Sequence, residues 1–260
     1  MWRRAVVGLS GGGLGCQAMA SSANVAVAEP WDKNWDMRGG GVQKEGRSKV
    51  VHSVVLIRHG QYEQSPSNPG DDSLTKDSYR VLTSKGRVQA SETGRRIQQM
   101  IDARLLPPIG FVYYSTMARA SETSKIILEE LKEPPPTHKV SACSMLREGA
   151  VCRPDPAFQS WEPSDEDFEK DNLRVAAGFA SHLHRPDADK DASYTTLLVC
   201  HGNVIRYFLL RAMQVDPSGW SRLAVYNASI TRIDIYSDGG ISVKGVGEVG
   251  HLPPDLVTYQ

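Results

Sequence analysis

Val54-Val55-Leu56-Ile57-Arg58-His59-Gly60 is the stretch on which the reading of this chain turns. Four β-prone apolar residues in a row predict a buried strand. Gly60 marks a sharp change of backbone direction at its carboxyl end. Open α/β sheets bind ligands at the carboxyl ends of their strands, so Arg58 and His59 fall where chemistry is done. An arginine fork matches phosphate geometry. A neutral histidine can attack phosphorus. Arg-His-Gly alone is a weak signal, and phosphoryl transfer asks for more: further fixed donors around the equatorial oxygens and an acid to protonate the leaving alkoxide.

Working outward, four segments supply those parts. Phe111-Val112-Tyr113-Tyr114 predicts a short strand, followed by Ser115–Thr123, where a helix begins with Arg119 at its start, a place that favours anions. Leu146-Arg147-Glu148-Gly149 is a turn carrying an acid. Thr195–Cys200 predicts a strong strand that delivers His201-Gly202-Asn203 and then a helix, so strand–His–Gly occurs twice. Upstream, Leu82-Thr83 precedes a helix for which Thr83 or Ser84 is the expected N-cap.

With L-I-R-H-G at 56–60, L-T-x-x-G-R-x-Q-A at 82–90, S-x-M-x-R-A-x-E-T at 115–123, L-R-E-G at 146–149 and C-H-G-N-V-I-R-Y at 200–207, the chain resembles the histidine phosphatase (phosphoglycerate mutase-like) superfamily in motif order and spacing. The resemblance implies an α/β fold, a three-layer sandwich with a mostly parallel central sheet flanked by helices. It implies a phospho-accepting His59, a phosphate pocket of Arg58, Arg119 and His201, and Glu148 as proton donor and later the base for water. Adjacency adds Gly60, Gln61 and Asn203 as substrate-binding residues. Further matches, Trp31-Asp32-x-Asn34-Trp35-Asp36, P-D-P at 154–156 and P-P-D at 253–255, are similar to a mitochondrial serine/threonine phosphatase branch of that superfamily. That narrower similarity implies phosphoprotein substrates, a mitochondrial location with the outer membrane favoured, and a role for Trp31, Asp32, Asn34, Trp35 and Asp36 in homo-oligomer assembly and activation. Gly60 stands where vertebrate members are expected to carry serine, and 63–79 is longer and richer in Ser, Pro, Gly and Asp than expected, which reads as a loop beside the site.

Composition bounds the rest. Thirty basic and thirty acidic residues balance, which gives no hint of nucleic-acid binding. Cys16, Cys143, Cys152 and Cys200 form no C-x-x-C and no metal spacing; Cys143 and Cys152 could pair, though no pattern requires it. His182-x-His184 lacks a companion acid or cysteine, so no metal and no cofactor are assigned. The remaining histidines read as surface or core, Arg147 as a residue that holds Glu148, Arg206 as a structural ion-pair residue, Trp220 as core, and Trp161 as core or cleft border. Ser229–Ile235 alternates as a late strand.

Three segments are expected: 1–28 as a targeting or membrane-anchor segment, 29–50 as the Trp-containing oligomerisation motif and linker, and 51–260 as the catalytic domain. Residues 5–28 carry no charge and follow Arg3-Arg4. They are long enough to span a bilayer but rich in Gly, Ser and Ala. A secretory signal peptide, a cleaved mitochondrial presequence and a retained anchor compete here, and the resemblance implies the anchor. The two tryptophans have no local core in view, so they are read as lying at a membrane interface or docking on another subunit. Three functions stay open at this level: a protein phosphatase, a small-molecule phosphatase or phosphomutase on the same fold, and a scaffold. The continuation Gln61-Tyr62 followed by a loop suits an open, protein-accommodating mouth, and fold alone does not choose.

Overall fold

The computed structural model describes residues 30–39, 50–64, 77–157, 161–186 and 191–259. Segment 5–28, most of the 63–79 loop and the linker 40–49 lie outside them. Contacts divide the chain into Met1–Trp31 and Asp32–Gln260, and the sheet and its helices belong to the second unit.

Six strands form one sheet in the order β3-β2-β4-β1-β5-β6. They are β1 (Val51–Arg58), β2 (Ile109–Ser115), β3 (Val140–Cys143), β4 (Tyr194–Cys200), β5 (Ile230–Tyr236) and β6 (Ile241–Glu248). The first four are parallel, and β5 and β6 add an antiparallel edge beside β1. Helices α1 (Ser84–Asp102), α2 (Ala118–Glu129), α3 (Asp165–His182) and α4 (Gly202–Ala212) cover it.

The apolar run of β1 is buried throughout because both faces of the sheet are covered. Val54 and Leu56 join one core with Leu198 of β4, Val175 and Phe179 of α3, and Phe208 of α4. Val55 and Ile57, one residue out of phase, join the other with Val199 of β4, Ile97 of α1, and Ala120 and Ile127 of α2. The period-2 alternation of side chains thus makes three layers from one strand sequence. Thr83 caps α1, its hydroxyl accepting from the Gly86 amide at 3.0 Å, and a capping box of Ser164 and Asp167 starts α3.

Register places the chemistry. β1 and β4 pair with Arg58 opposite Cys200, and the His59 amide donates to the Cys200 carbonyl at 3.0 Å. His59 and His201, each one residue past a paired strand end, are therefore neighbours.

The stretch read as lacking a local core has one. The Trp35 ring packs on Phe179 at 5.9 Å between centroids, and its indole N–H donates to the Gly239 carbonyl at 2.8 Å. Asp32 and Gln214 exchange two hydrogen bonds, at 2.8 and 2.9 Å. The Asn34 amide donates to the Asp32 carboxylate at 2.7 Å, closing a turn. Asp36 takes Arg185 through its backbone amide, Nε and Nη2, and this pair is almost fully buried. Asp32, Asn34, Trp35 and Asp36 thus each have a mechanical role in one clasp on the domain. Trp31, in the first unit, is exposed. Cys143, Cys152 and Cys200 are free thiols, and Trp161 packs against Phe168 and Trp220.

Candidate active site

The site is built on the carboxyl ends of β1, β2 and β4 and the starts of α2 and α4. His59 is buried. Its Nδ1 lies 2.8 Å from the Gly60 carbonyl. A carbonyl only accepts, so Nδ1 carries the proton and Nε2 keeps its lone pair. Arg119 Nε donates to that Nε2 at 3.2 Å. Burial, and then the charges of Arg58 and Arg119, hold the imidazole pKa well below its ordinary value. The ring is therefore neutral at physiological pH, with Nε2 facing a guanidinium.

His201 is also buried, its ring 5.0 Å from that of His59. Its Nε2 meets the Ser115 hydroxyl at 2.8 Å, and burial, with the charges of Arg119 and Arg58, holds it neutral too. Arg58 donates through Nη1 to the Val225 carbonyl at 2.6 Å and lies over the Tyr259 ring. Arg119, second residue of α2, stacks on Tyr62 with its guanidinium carbon 4.5 Å from the ring centre. Glu148 is half-buried and accepts from the Gly149 amide at 3.2 Å and from the Asn203 amide, in the first turn of α4, at 3.4 Å. Burial nevertheless pushes its carboxyl pKa up, against those hydrogen bonds and the charges of Arg58 and Arg119. Two buried, uncharged imidazoles, two arginines and a carboxyl with a raised pKa therefore share one pocket.

Gly60, Gln61 and Asn203 sit at this pocket as support. The Gly60 amide donates to the Thr123 hydroxyl at 3.1 Å. The Gln61 amide donates to the Gln89 side chain at 2.7 Å, and its own side chain accepts from Thr83 at 2.9 Å. The Asn203 side chain reaches the Gly149 carbonyl at 3.4 Å, so it holds the turn that carries the acid. A Cβ on Gly60 would run into the Gly86 carbonyl, and one on Gly86 into that of Gln61. Backbone meets backbone at this corner. Gly86→Ala should cost about 1–3 kcal/mol, read as a lower melting temperature, together with a loss of activity as Gln61 is displaced; an unchanged melt would mean the corner relaxes freely.

Two expectations change. Arg147 donates to the Thr116 hydroxyl at 3.1 Å, and Glu148 is held by main-chain amides instead. Arg206, expected in an ion pair, donates to the Leu223 carbonyl, the Asn203 side chain and the Tyr259 hydroxyl; a strand-end pocket already rich in cations is braced here by neutral acceptors. Reading the sequence missed Tyr62, Ser115, Thr123, Asp77 and Tyr259. Ser115 and Thr123 were in view as motif positions flanking Arg119. Asp77 and Tyr259 carry no local signal, since only folding brings them to the arginines.

The comparisons agree with this geometry. The family model described as "Histidine phosphatase superfamily (branch 1)" matches residues 54–247. The human protein named serine/threonine-protein phosphatase PGAM5, mitochondrial, is 36% identical over 247 residues, covering 88% of this chain and 80% of its own length. The Drosophila melanogaster protein of the same name is 37% identical over 250 residues with the same coverage. Among solved structures, phosphoglycerate mutase from Plasmodium falciparum superposes with a TM-score of 0.52 at 26% identity, over 81% of this chain and 99% of that one. With its domain, its strand-end histidines and its relatives in agreement, this chain belongs to the histidine phosphatase superfamily.

Proposed function

We propose that the protein is a mitochondrial serine/threonine phosphatase that works through a phosphohistidine on His59 Nε2. The observation that carries the mechanism is the tautomer: Nδ1–H is tied to the Gly60 carbonyl while Nε2 faces Arg119. Relatives named as mitochondrial serine/threonine phosphatases, at 36% identity over 88% of the chain, support the substrate class and the compartment. Arg58, Arg119 and His201 hold the phosphoryl oxygens. Glu148, its pKa raised by burial, gives its proton to the serine or threonine oxygen as the P–O bond breaks and the His59 N–P bond forms. The resulting carboxylate then takes a proton from the water that attacks phosphorus, which releases phosphate and restores His59. The test is phosphate release from a phosphothreonine peptide and from phosphoglycerates. Peptide turnover supports this reading. Turnover of phosphoglycerates alone would move the chain to small-molecule chemistry, and no turnover of either would leave a scaffold.

The motif Trp31–Asp36 serves assembly in this reading. Its clasp on Gly239, Gln214 and Arg185 is a formed receptor, and the Gly39-Gly40-Gly41 sequence that follows is of a composition suited to docking the same motif on a neighbouring copy by exchange. Trp35→Ala should shrink the assembly seen by light scattering while the domain stays folded; an unchanged size would defeat this role. The uncharged, bilayer-length segment 5–28 supports a membrane anchor, the outer mitochondrial membrane being favoured. Recovery of the full chain in the alkaline-wash supernatant of mitochondria would refute it.

A further inference from the structure

A carboxylate already occupies part of the anion site beside His59. The Arg119 side chain is only 3% exposed, and its donors are shared among three residues, the Met117 sulfur taking a weak bond from Nη2 at 3.7 Å. Nε goes to His59 Nε2 at 3.2 Å, Nη1 to the Asp77 carbonyl at 2.8 Å, and Nη2 to the Asp77 carboxylate at 3.0 Å. The Nε–Nη2 edge is the fork that a phosphate or carboxylate takes with two parallel hydrogen bonds. Here the Asp77 carboxylate takes a hydrogen bond from Nη2, one member of that pair, while Nε is on the nucleophilic nitrogen. Asp77 opens the 3-10 turn Asp77–Tyr79, and its carboxylate is half exposed. Its other oxygen lies 3.9 Å from Arg80 Nη1, so a second cation stands next to it.

We propose that Asp77 is a specificity-determining residue: an internal anion that competes with the phosphoryl group for Arg119 and passes to Arg80 when a substrate displaces it. This rests on the reading that Arg119 holds the phosphoryl group. A phosphoryl group in line with His59 Nε2 lies within reach of Arg119 Nε and needs its Nη2 as well. With Asp77 in place it has to share that donor with a carboxylate, and two anions on one buried guanidinium repel. Small phosphates and the product, phosphate, have only the pocket groups, Arg58 and His201, with which to displace Asp77. A phosphoprotein has more, because its flanking residues bind outside the pocket. The device therefore favours macromolecular substrates and weakens product inhibition.

The test is calorimetric titration of the full chain with inorganic phosphate, comparing parent, Asp77→Asn, Asp77→Ala, Arg80→Ala and Arg119→Ala. Both Asp77 variants should bind phosphate about tenfold more tightly or better and show a lower KM for an aryl phosphate. Arg80→Ala should move affinity the other way, because it removes the alternative partner. Phosphate affinity equal to or weaker than the parent's in both Asp77 variants, or a fall in kcat with KM unmoved, would overturn the proposal and make Asp77 a prop for Arg119. Arg119→Ala separates the two layers: if it leaves phosphate affinity unchanged, the reading of Arg119 itself fails, whatever the Asp77 variants do.

Discussion

His59→Ala is expected to lose at least about a thousandfold in kcat, the scale seen when a covalent nucleophile is removed, and to take up no phosphate label. The geometry makes the expectation specific to Nε2. Nδ1 is spent on the Gly60 carbonyl, and the ring is kept neutral by burial and by Arg58 and Arg119. Nothing has to be deprotonated before attack. Two histidines 5.0 Å apart make the control essential. His201→Ala keeps the nucleophile and loses a contact to the phosphoryl oxygens, so it should still form labelled enzyme, only more slowly. Alkaline quenching preserves a phosphohistidine for counting. Label in the His59→Ala protein, or its absence only in His201→Ala, would reverse the two roles.

Glu148→Gln separates substrates by leaving group. An alkoxide is a poor leaving group and needs the proton; a nitrophenolate does not. Alkyl phosphates such as phosphoserine peptides should slow by about 10²–10⁴, and aryl phosphates by less than about tenfold. The pH profile adds a second readout. Burial raises the Glu148 pKa, so the acid is present below that raised value and lost as pH climbs through it. His59, with a lowered pKa, is neutral from below physiological pH upward. In the parent the alkyl-phosphate rate should therefore fall on the alkaline side, from Glu148, with its acid limb set by His59. Glu148→Gln should lose that alkaline fall. Equal slowing of alkyl and aryl substrates, or an alkaline limb that survives the substitution, would remove Glu148 from the acid role.

Much of the architecture could be read along the chain because it is local. Val54–Ile57 and Leu197–Cys200 are unbroken apolar runs, and such runs are what a strand covered on both faces requires. Each leads to a histidine because the strand end is where a parallel sheet leaves side chains free to meet a ligand. Arg119 and Glu148 were legible for a related reason, each standing at the start of a helix or in a turn just past a strand. Asp32–Asp36 showed the limit. Its pattern was plain, but the reading found no core for its tryptophans, since Phe179, Arg185 and Gly239 lie far off in sequence.

The chain by itself determined the elements and the sheet's covered faces, and it brought the two histidines, two arginines and acid into view as one candidate set, because periodicity and turn chemistry act over a few residues. Only the tertiary structure decided protonation and partnership. That Nε2 of His59 keeps its lone pair, that the Glu148 pKa is raised and its carboxyl held by the start of α4, that Arg206 is braced by Tyr259, and that Asp77 sits on Arg119, all depend on burial and on contacts across large separations. Desolvation and Coulomb interaction act through space, so they are written in the packing and not in the order of residues.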